Sequence, residues 1–283
     1  MNFPAYIKLF RPVQWLKNLM LFFPPFLGGA IFQKGLLLGG MLPFFTFCLA
    51  SSVCYILNDA VDLDVDRGHP FKKFRPMPSG DVPVRHALFI AVLSLAMSIF
   101  AAYSVSMGFL LLLLSYLAVS IFYTLFFKNY PLIDIFSIAS GFILRLLAGG
   151  EAFAVTISEW LFLTVFLLAL FLSTGKRYGE KISLGEQAVV HRRALASYPE
   201  GFLDGLLFML GSAVLVTYTM YVISRHSSLL LYSVPLCCFG LLRYIMRVQS
   251  GRGGDPTESL TRDLPLLLVG VAWAALVGLG IYG

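Results

Sequence analysis

Charge is what this chain has least of. Only 13% of its 283 residues are Asp, Glu, Lys or Arg, while 58% are hydrophobic. A soluble domain carries roughly 25% charged residues. That shortage, with a mean hydropathy of +0.83, excludes a water-soluble globule and predicts an integral membrane protein. Cysteine and histidine are also scarce, at four each. Cys48, Cys54, Cys237 and Cys238 all lie inside apolar runs, which predicts buried thiols rather than a disulfide or metal set. There is no low-complexity tail, no separate soluble domain and no nucleic-acid motif. The N-terminal stretch MNFPAYIKLFRPVQWLKN is interrupted by Pro4, Lys8, Arg11 and Pro12 and has no small-residue cleavage site, so it does not read as a cleavable signal peptide.

Long apolar runs are what the chain has instead. Nine are long enough to span a bilayer at roughly 20 residues each: 13–33, 36–57, 86–107, 108–127, 131–152, 158–174, 201–224, 228–247 and 264–282. The expected fold is an all-α, polytopic bundle forming a single domain over 1–283. The cations orient it. All of the 21 Lys and Arg except Lys34, Arg225 and Arg145 fall on one side of the alternation. The positive-inside rule then predicts a multi-pass protein of the inner (plasma) membrane, with a cytoplasmic N-terminus and the C-terminus outside. The long polar loops, and with them the active site, are expected at the cytoplasmic face. Anionic lipid suffices to explain the basic face, so no nucleic-acid partner is expected.

The charge that exists is concentrated in NDAVDLDVDRGHPFKKFRP, residues 58–76. Asn58, Asp62 and Asp66 are spaced by four. If the helix continues past the membrane they share one stripe, with Asp59 beside it and Asp64 pointing elsewhere. Like charges so placed repel in an unoccupied helix. They suit Mg2+, which binds through one or two carboxylates plus substrate phosphates rather than a full protein cage. Asp62 and Asp66 are the expected ligands, with Asn58 orienting. Lys72, Lys73 and Arg75 follow within one loop, stiffened by Pro76 and Pro78. Cations beside metal-binding carboxylates are what a metal-bridged diphosphate requires. The plainer alternative is a solvated helix end neutralised by the basic run.

NDAVDLDVD resembles the Asn-Asp-x-x-Asp-x-x-x-Asp signature that closes the second helix of the UbiA superfamily of membrane prenyltransferases. That resemblance implies a nine-transmembrane-helix UbiA-like bundle. YTLFFKNYPLIDI (123–135) resembles the family's Tyr-x-x-x-x-Lys motif, placing Tyr123 and Lys128 at the site. A second aspartate-rich motif, usual after helix six, is absent: no aspartate lies between Asp134 and Asp204. LFLSTGKRYGEKISLGEQ supplies Lys176, Arg177 and Lys181, with Glu180 and Glu186, as a cationic loop. Such a loop suits a monophosphate held directly by bases better than a second metal-bound diphosphate.

RPVQWLKN (11–18), DVDRGHPFKKFRP (64–76), GFILRLLAGG (141–150), GKRYGE (175–180) and SGRGGDPTESLTRD (250–263) look like one branch of that superfamily, the polyprenyl-phosphate phosphoribosyltransferases. The resemblance implies transfer of ribose 5-phosphate from phosphoribosyl diphosphate to a polyprenyl (decaprenyl-like) monophosphate, with release of diphosphate and inversion at the anomeric carbon. It implies supply of a lipid-linked pentose for cell-envelope polysaccharide. A phosphate nucleophile is already anionic, so no strong base is needed, and only His69 lies near the motifs. Asp59, Lys72, Lys73, Arg75, Tyr123, Lys128, Lys176, Arg177 and Glu180 are the expected substrate contacts. Lys17 reads equally as a donor contact or a headgroup snorkel. Asp134 reads as a helix-dipole acid or a site residue. Arg145 reads as a bridge to Glu151 or a cavity residue. Arg192 and Arg193, after His191, read as headgroup contacts, and GRGGD as a flexible turn. Two other functions remain open: a UbiA-type prenyltransferase joining a polyprenyl diphosphate to an aromatic acceptor, and a small transporter. A homo-oligomer is left open as well.

Overall fold

A computed structural model describes residues 3–184 and 193–283. The chain runs α1 (Phe3–Leu9), a 3-10 segment (Pro12–Phe22), α2 (Phe23–Leu27), α3 (Leu36–Gly39), α4 (Met41–Val61) and α5 (Leu63–Arg67). A 3-10 turn (Lys72–Phe74) leads to α6 (Val84–Val105) and α7 (Met107–Leu125), and another (Phe127–Asn129) to α8 (Ile133–Ala152). Then come α9 (Glu159–Leu184), α10 (Arg193–Ala196), α11 (Phe202–Ser224), α12 (Ser228–Leu231), α13 (Ser233–Gln249), α14 (Pro256–Arg262) and α15 (Leu264–Tyr282). Among the described residues there is no strand. Among the described residues eight helical stretches are long and apolar enough to cross a membrane, so the chain is a multi-span membrane protein.

The first apolar run departs from expectation. Over 13–33 it is not one α-helix but the 3-10 segment followed by five α-helical residues. Pro12 opens it, and Pro24 and Pro25 stand where an α-helix would need N–H donors and room for the carbonyl four residues back. A 3-10 helix rises about 2.0 Å per residue, so Pro12–Leu27 still reaches about 30 Å. The stretched segment lies tight on α8. A Cβ on Gly149 would sit 2.2 Å from the Leu21 carbonyl oxygen, so only glycine admits this approach.

The short connection expected at Ser106–Gly108 is a single residue. Ser106 is extended and its Oγ caps α7 by accepting from Phe109 N at 2.9 Å. The sixth run is corrected more substantially. As far as Leu184 the predicted cationic loop is helix, because α9 continues through Gly175 and Gly179 to that residue. Its polar turns are held by buried partners described below, so the helix does not end where hydrophobicity does.

Two apolar clusters flank α8. On one side Leu21, Phe47, Ala50, Phe109, Leu113 and Leu117 join the 3-10 segment, α4 and α7. On the other Ile135, Ala139, Phe171, Leu207, Leu210 and Ile245 join α8, α9, α11 and α13. Between them, where α4, α7 and α9 end and α8 begins, the bundle is open and polar.

Candidate active site

The opening is a cavity of about 280 Å³. Four helices supply its walls, each through a polar stripe at helical spacing. α4 gives Cys54 and Asn58, with Asp62 just past its end. α7 gives Tyr116, Ser120, Tyr123 and Thr124. α8 gives Ser137, Gly141 and Arg145. α9 gives Ser173, Lys176, Arg177 and Glu180. Arg11, Lys17, Lys72 and Arg75 enter from the connecting segments.

The acidic stretch is bent but keeps its register. α4 stops at Val61, and Asp62 leaves helical geometry before α5 begins. The backbone bonds Asp62 N to Asn58 O (3.0 Å) and Asp66 N to Asp62 O (2.8 Å) survive the break, so the four-residue spacing holds. Asn58 and Asp62 face the cavity. Asp62 is ion-paired with Lys128, itself outside the lining. Asp59 and Asp66 are buried behind that wall. One Arg75 nitrogen, Nη1, bridges them, donating to Asp59 Oδ1 at 2.9 Å and Asp66 Oδ2 at 2.6 Å. Arg11 also pairs with Asp59, and Lys72 Nζ lies 3.5 Å from Asp66 Oδ1. Asp64 is exposed and pairs with Arg67 at 3.2 Å. Lys73 lies outside the lining, over the Phe74 ring.

Arg145 does not bridge to Glu151. Its Nε donates to Asn18 Oδ1 (2.7 Å), Nη1 to Gly141 O (2.8 Å) and Nη2 to Tyr116 OH (2.8 Å). The guanidinium also lies 4.4 Å over the Tyr116 ring. Glu151 instead accepts from Ser106 Oγ at 2.8 Å, at the α6–α7 junction. Asp134 is wholly buried, outside the lining, between Arg177 Nε (2.6 Å) and Tyr198 OH (2.8 Å). Arg177 also gives Nη1 to Glu180 (2.6 Å) and Nη2 to Tyr123 OH (2.9 Å). Burial pushes the Tyr198 phenol up, and Asp134 adds to the rise, so Tyr198 stays a donor. Lys181 donates to Tyr198 O at 3.0 Å. His191, Arg192 and Glu186 lie outside the described residues.

The GRGGD turn is packed, not loose. A Cβ on Gly254 would meet Gly175 O at 2.1 Å, and one on Gly179 would meet Gly254 N at 2.6 Å. Tyr244 OH donates to Gly254 O at 2.7 Å. This seats Asp255, which the sequence reading passed over. Asp255 caps α14 by accepting from Thr257 N (3.0 Å) and Glu258 N (3.3 Å), and takes Lys176 Nζ at 3.3 Å. Burial pushes its carboxyl up, but Lys176 and Lys17 outweigh burial and hold it below the usual range. Gly254→Val should therefore force the turn off α9, costing about 1–3 kcal/mol. Thermal unfolding of the detergent-solubilised variant checks this, and an unchanged midpoint refutes the packing argument.

Among the described residues no three His, Cys, Asp or Glu side chains converge on a metal position. The residues nevertheless fit magnesium. Every ligand the acid wall offers is oxygen, and Asp66 Oδ1 is buried with no hydrogen-bond partner, facing only the Lys72 ammonium at 3.5 Å. An oxygen-rich wall with an acceptor short of hydrogen bonds suits a hard cation that takes its remaining ligands from phosphate and water.

The UbiA prenyltransferase family profile matches residues 21–267, and the chain belongs to that family. Within it, the chain is 34% identical over 286 residues to a decaprenyl-phosphate phosphoribosyltransferase of Corynebacterium glutamicum, covering 98% of this chain and 86% of that protein. It is 32% identical to the protein of the same description from Mycolicibacterium smegmatis, covering 98% and 92%. A UbiA homologue from Archaeoglobus fulgidus, solved bound to GPP and Mg2+, shares the fold. Its TM-score is 0.76 at 21% identity, over 98% of this chain and 99% of that one.

Proposed function

We propose that the protein transfers the 5-phosphoribosyl group of phosphoribosyl diphosphate to a polyprenyl monophosphate, releasing diphosphate. The observation that carries this is the asymmetry of the cavity. One wall holds Asn58 and Asp62; the facing helix α9 presents Lys176 and no aspartate, its Arg177 being spent on Asp134, Glu180 and Tyr123. One metal-bound diphosphate and one directly held monophosphate need that division. Similarity to the two phosphoribosyltransferases over nearly the whole chain supports the reading.

Asn58 and Asp62, joined by Asp66 where Lys72 and Arg75 yield to the phosphates, would hold Mg2+, which when bound supplies positive charge against the departing diphosphate. Arg11, Lys72 and Arg75, now neutralising Asp59 and Asp66, offer cationic donors to the same oxygens. The lipid phosphate oxygen forms the new bond to the anomeric carbon as the carbon–diphosphate bond breaks. The nucleophile carries its own charge, so no side chain takes a proton. The basic end of the bundle is assigned to the cytoplasm by the positive-inside rule, which puts the mouth on the side of the water-soluble donor.

The test uses purified protein with magnesium in two reactions. The first contains labelled phosphoribosyl diphosphate and a polyprenyl phosphate. The second contains a polyprenyl diphosphate and 4-hydroxybenzoate. Label should enter the lipid phase in the first alone and vanish with EDTA. Product in the second alone would make this a prenyltransferase with one aspartate motif.

A further inference from the structure

Most cations around the cavity are already committed. Arg177 spends all three of its nitrogens on Asp134, Glu180 and Tyr123, and Arg145 spends its three on Asn18, Gly141 and Tyr116. Lys181 is tied to the Tyr198 carbonyl. Arg11, Lys72 and Arg75 serve the acid wall.

Lys17 and Lys176 remain. Lys176 uses one donor on Asp255, leaving two of the three an ammonium carries. Lys17 makes no ion pair among the described residues and lines the same cavity as Lys176. The two lysines at this wall share one carboxylate, Asp255, through Lys176. Asp255 itself is occupied by Lys176 and by the N–H groups of α14.

Ser173 supplies the second observation. It lies three residues before Lys176 on α9, lines the cavity and is 3% exposed. Its Oγ has no hydrogen-bond partner. Several helical hydroxyls here return to the carbonyl four residues back: Ser137 to Ile133, Ser140 to Phe136, Thr164 to Trp160 and Ser212 to Phe208; the neighbouring Thr174 is unpaired like Ser173 but lies outside the lining. Ser173 makes no such bond, so both its donor and its acceptor capacity remain for a ligand. A buried hydroxyl left unpaired is a departure that calls for a partner.

We infer that Lys17, Lys176 and Ser173 form a metal-independent seat for a phosphate monoester, with Asp255 tethering Lys176. A bound dianion favours the charged form of both lysines, and the hydroxyl adds a directional donor. The assignment deepens the phosphoribosyl-transfer reading and rests on it. Both substrates there carry a monoester: the 5-phosphate of the sugar donor and the headgroup of the lipid.

The experiment is isothermal titration of the full chain in detergent, without metal, using ribose 5-phosphate and geranyl monophosphate as separate probes. One probe should bind the wild type and weaken about tenfold or more in Lys176→Met, Lys17→Met and Ser173→Ala, since each removes a hydrogen bond to a charged group. Loss for geranyl monophosphate assigns the seat to the lipid headgroup. Loss for ribose 5-phosphate assigns it to the donor. Equal affinity in wild type and variants, or no binding of either probe to the wild type, overturns the proposal. Lys17 and Ser173 lie on different elements, so misfolding of one variant leaves the other decisive. A wild type that binds a probe but moves no label from phosphoribosyl diphosphate would refute the reaction and keep the seat.

Discussion

Asp62→Ala is expected to lower phosphoribosyl transfer by about 10²–10³-fold or more while leaving the bundle folded. Mutations that remove preorganised charge stabilisation from a reacting centre cost about this much. Asp62 faces the cavity, and among the described residues its ion pair is with Lys128 alone, whereas Asp59 and Asp66 are buried between two cations each. Lys128 keeps 15% of its side-chain surface exposed, so it can turn to solvent when Asp62 is gone. Thermal unfolding should therefore move by only a few degrees. Asp62→Asn separates the causes, since it keeps the size and an acceptor for Lys128 but removes the charge. Both variants should be inactive and folded. Near wild-type turnover in either would take the acid wall out of the mechanism.

The helices were legible because the bilayer demands long apolar runs, and eight of these appear as spanning helices. The first run was not legible as a 3-10 segment. Hydropathy reports apolar length and is blind to Pro12, Pro24 and Pro25, which deny the run α geometry. The extent of α9 was missed for the opposite reason. Its last turns are polar, and the partners that keep them helical lie outside any local window: Asp134 is 43 residues before Arg177 and Tyr198 is 17 residues after Lys181. The acid stretch was legible as a charge pattern, but its division into a cavity-facing pair and a buried pair depends on Arg75 folding back.

A signal for the missed cavity residues did exist. Tyr116, Ser120 and Thr124 recur every four residues on an otherwise apolar helix, as do Ser137, Gly141 and Arg145 on the next, and Ser173 and Arg177 on α9. Polar stripes of helical period inside spanning runs mark the faces that turn to one another rather than to lipid. Asp255 carried no such signal. It sits in a loop whose position is fixed by Gly254 meeting Gly175 across 79 residues, a contact no local pattern announces.

Asp134→Asn carries the largest expected effect on stability and decides what Asp134 and Arg177 are for. The sequence places Arg177 among substrate contacts and leaves Asp134 between a helix-dipole acid and a site residue. The geometry gives Arg177 a side chain 1% exposed, facing an Asp134 side chain 0% exposed. Removing one partner of a buried pair leaves an uncompensated charge and costs about 3–5 kcal/mol. Glu180, 31% exposed, offers Arg177 a second carboxylate, which favours the lower end of that range. The unfolding midpoint should fall by about 6–12 °C, at roughly 2–4 °C per kcal/mol. Arg177→Met in the same chain removes the stranded charge, so the double variant should be more stable than Asp134→Asn alone. Activity should follow the folded fraction, with KM for both substrates unchanged. A variant of wild-type stability with a raised KM for phosphoribosyl diphosphate would reverse the assignment, making Asp134 and Arg177 ligands of the donor rather than the brace that carries α9 past the end of the apolar run and holds Ser173 and Lys176 against the cavity.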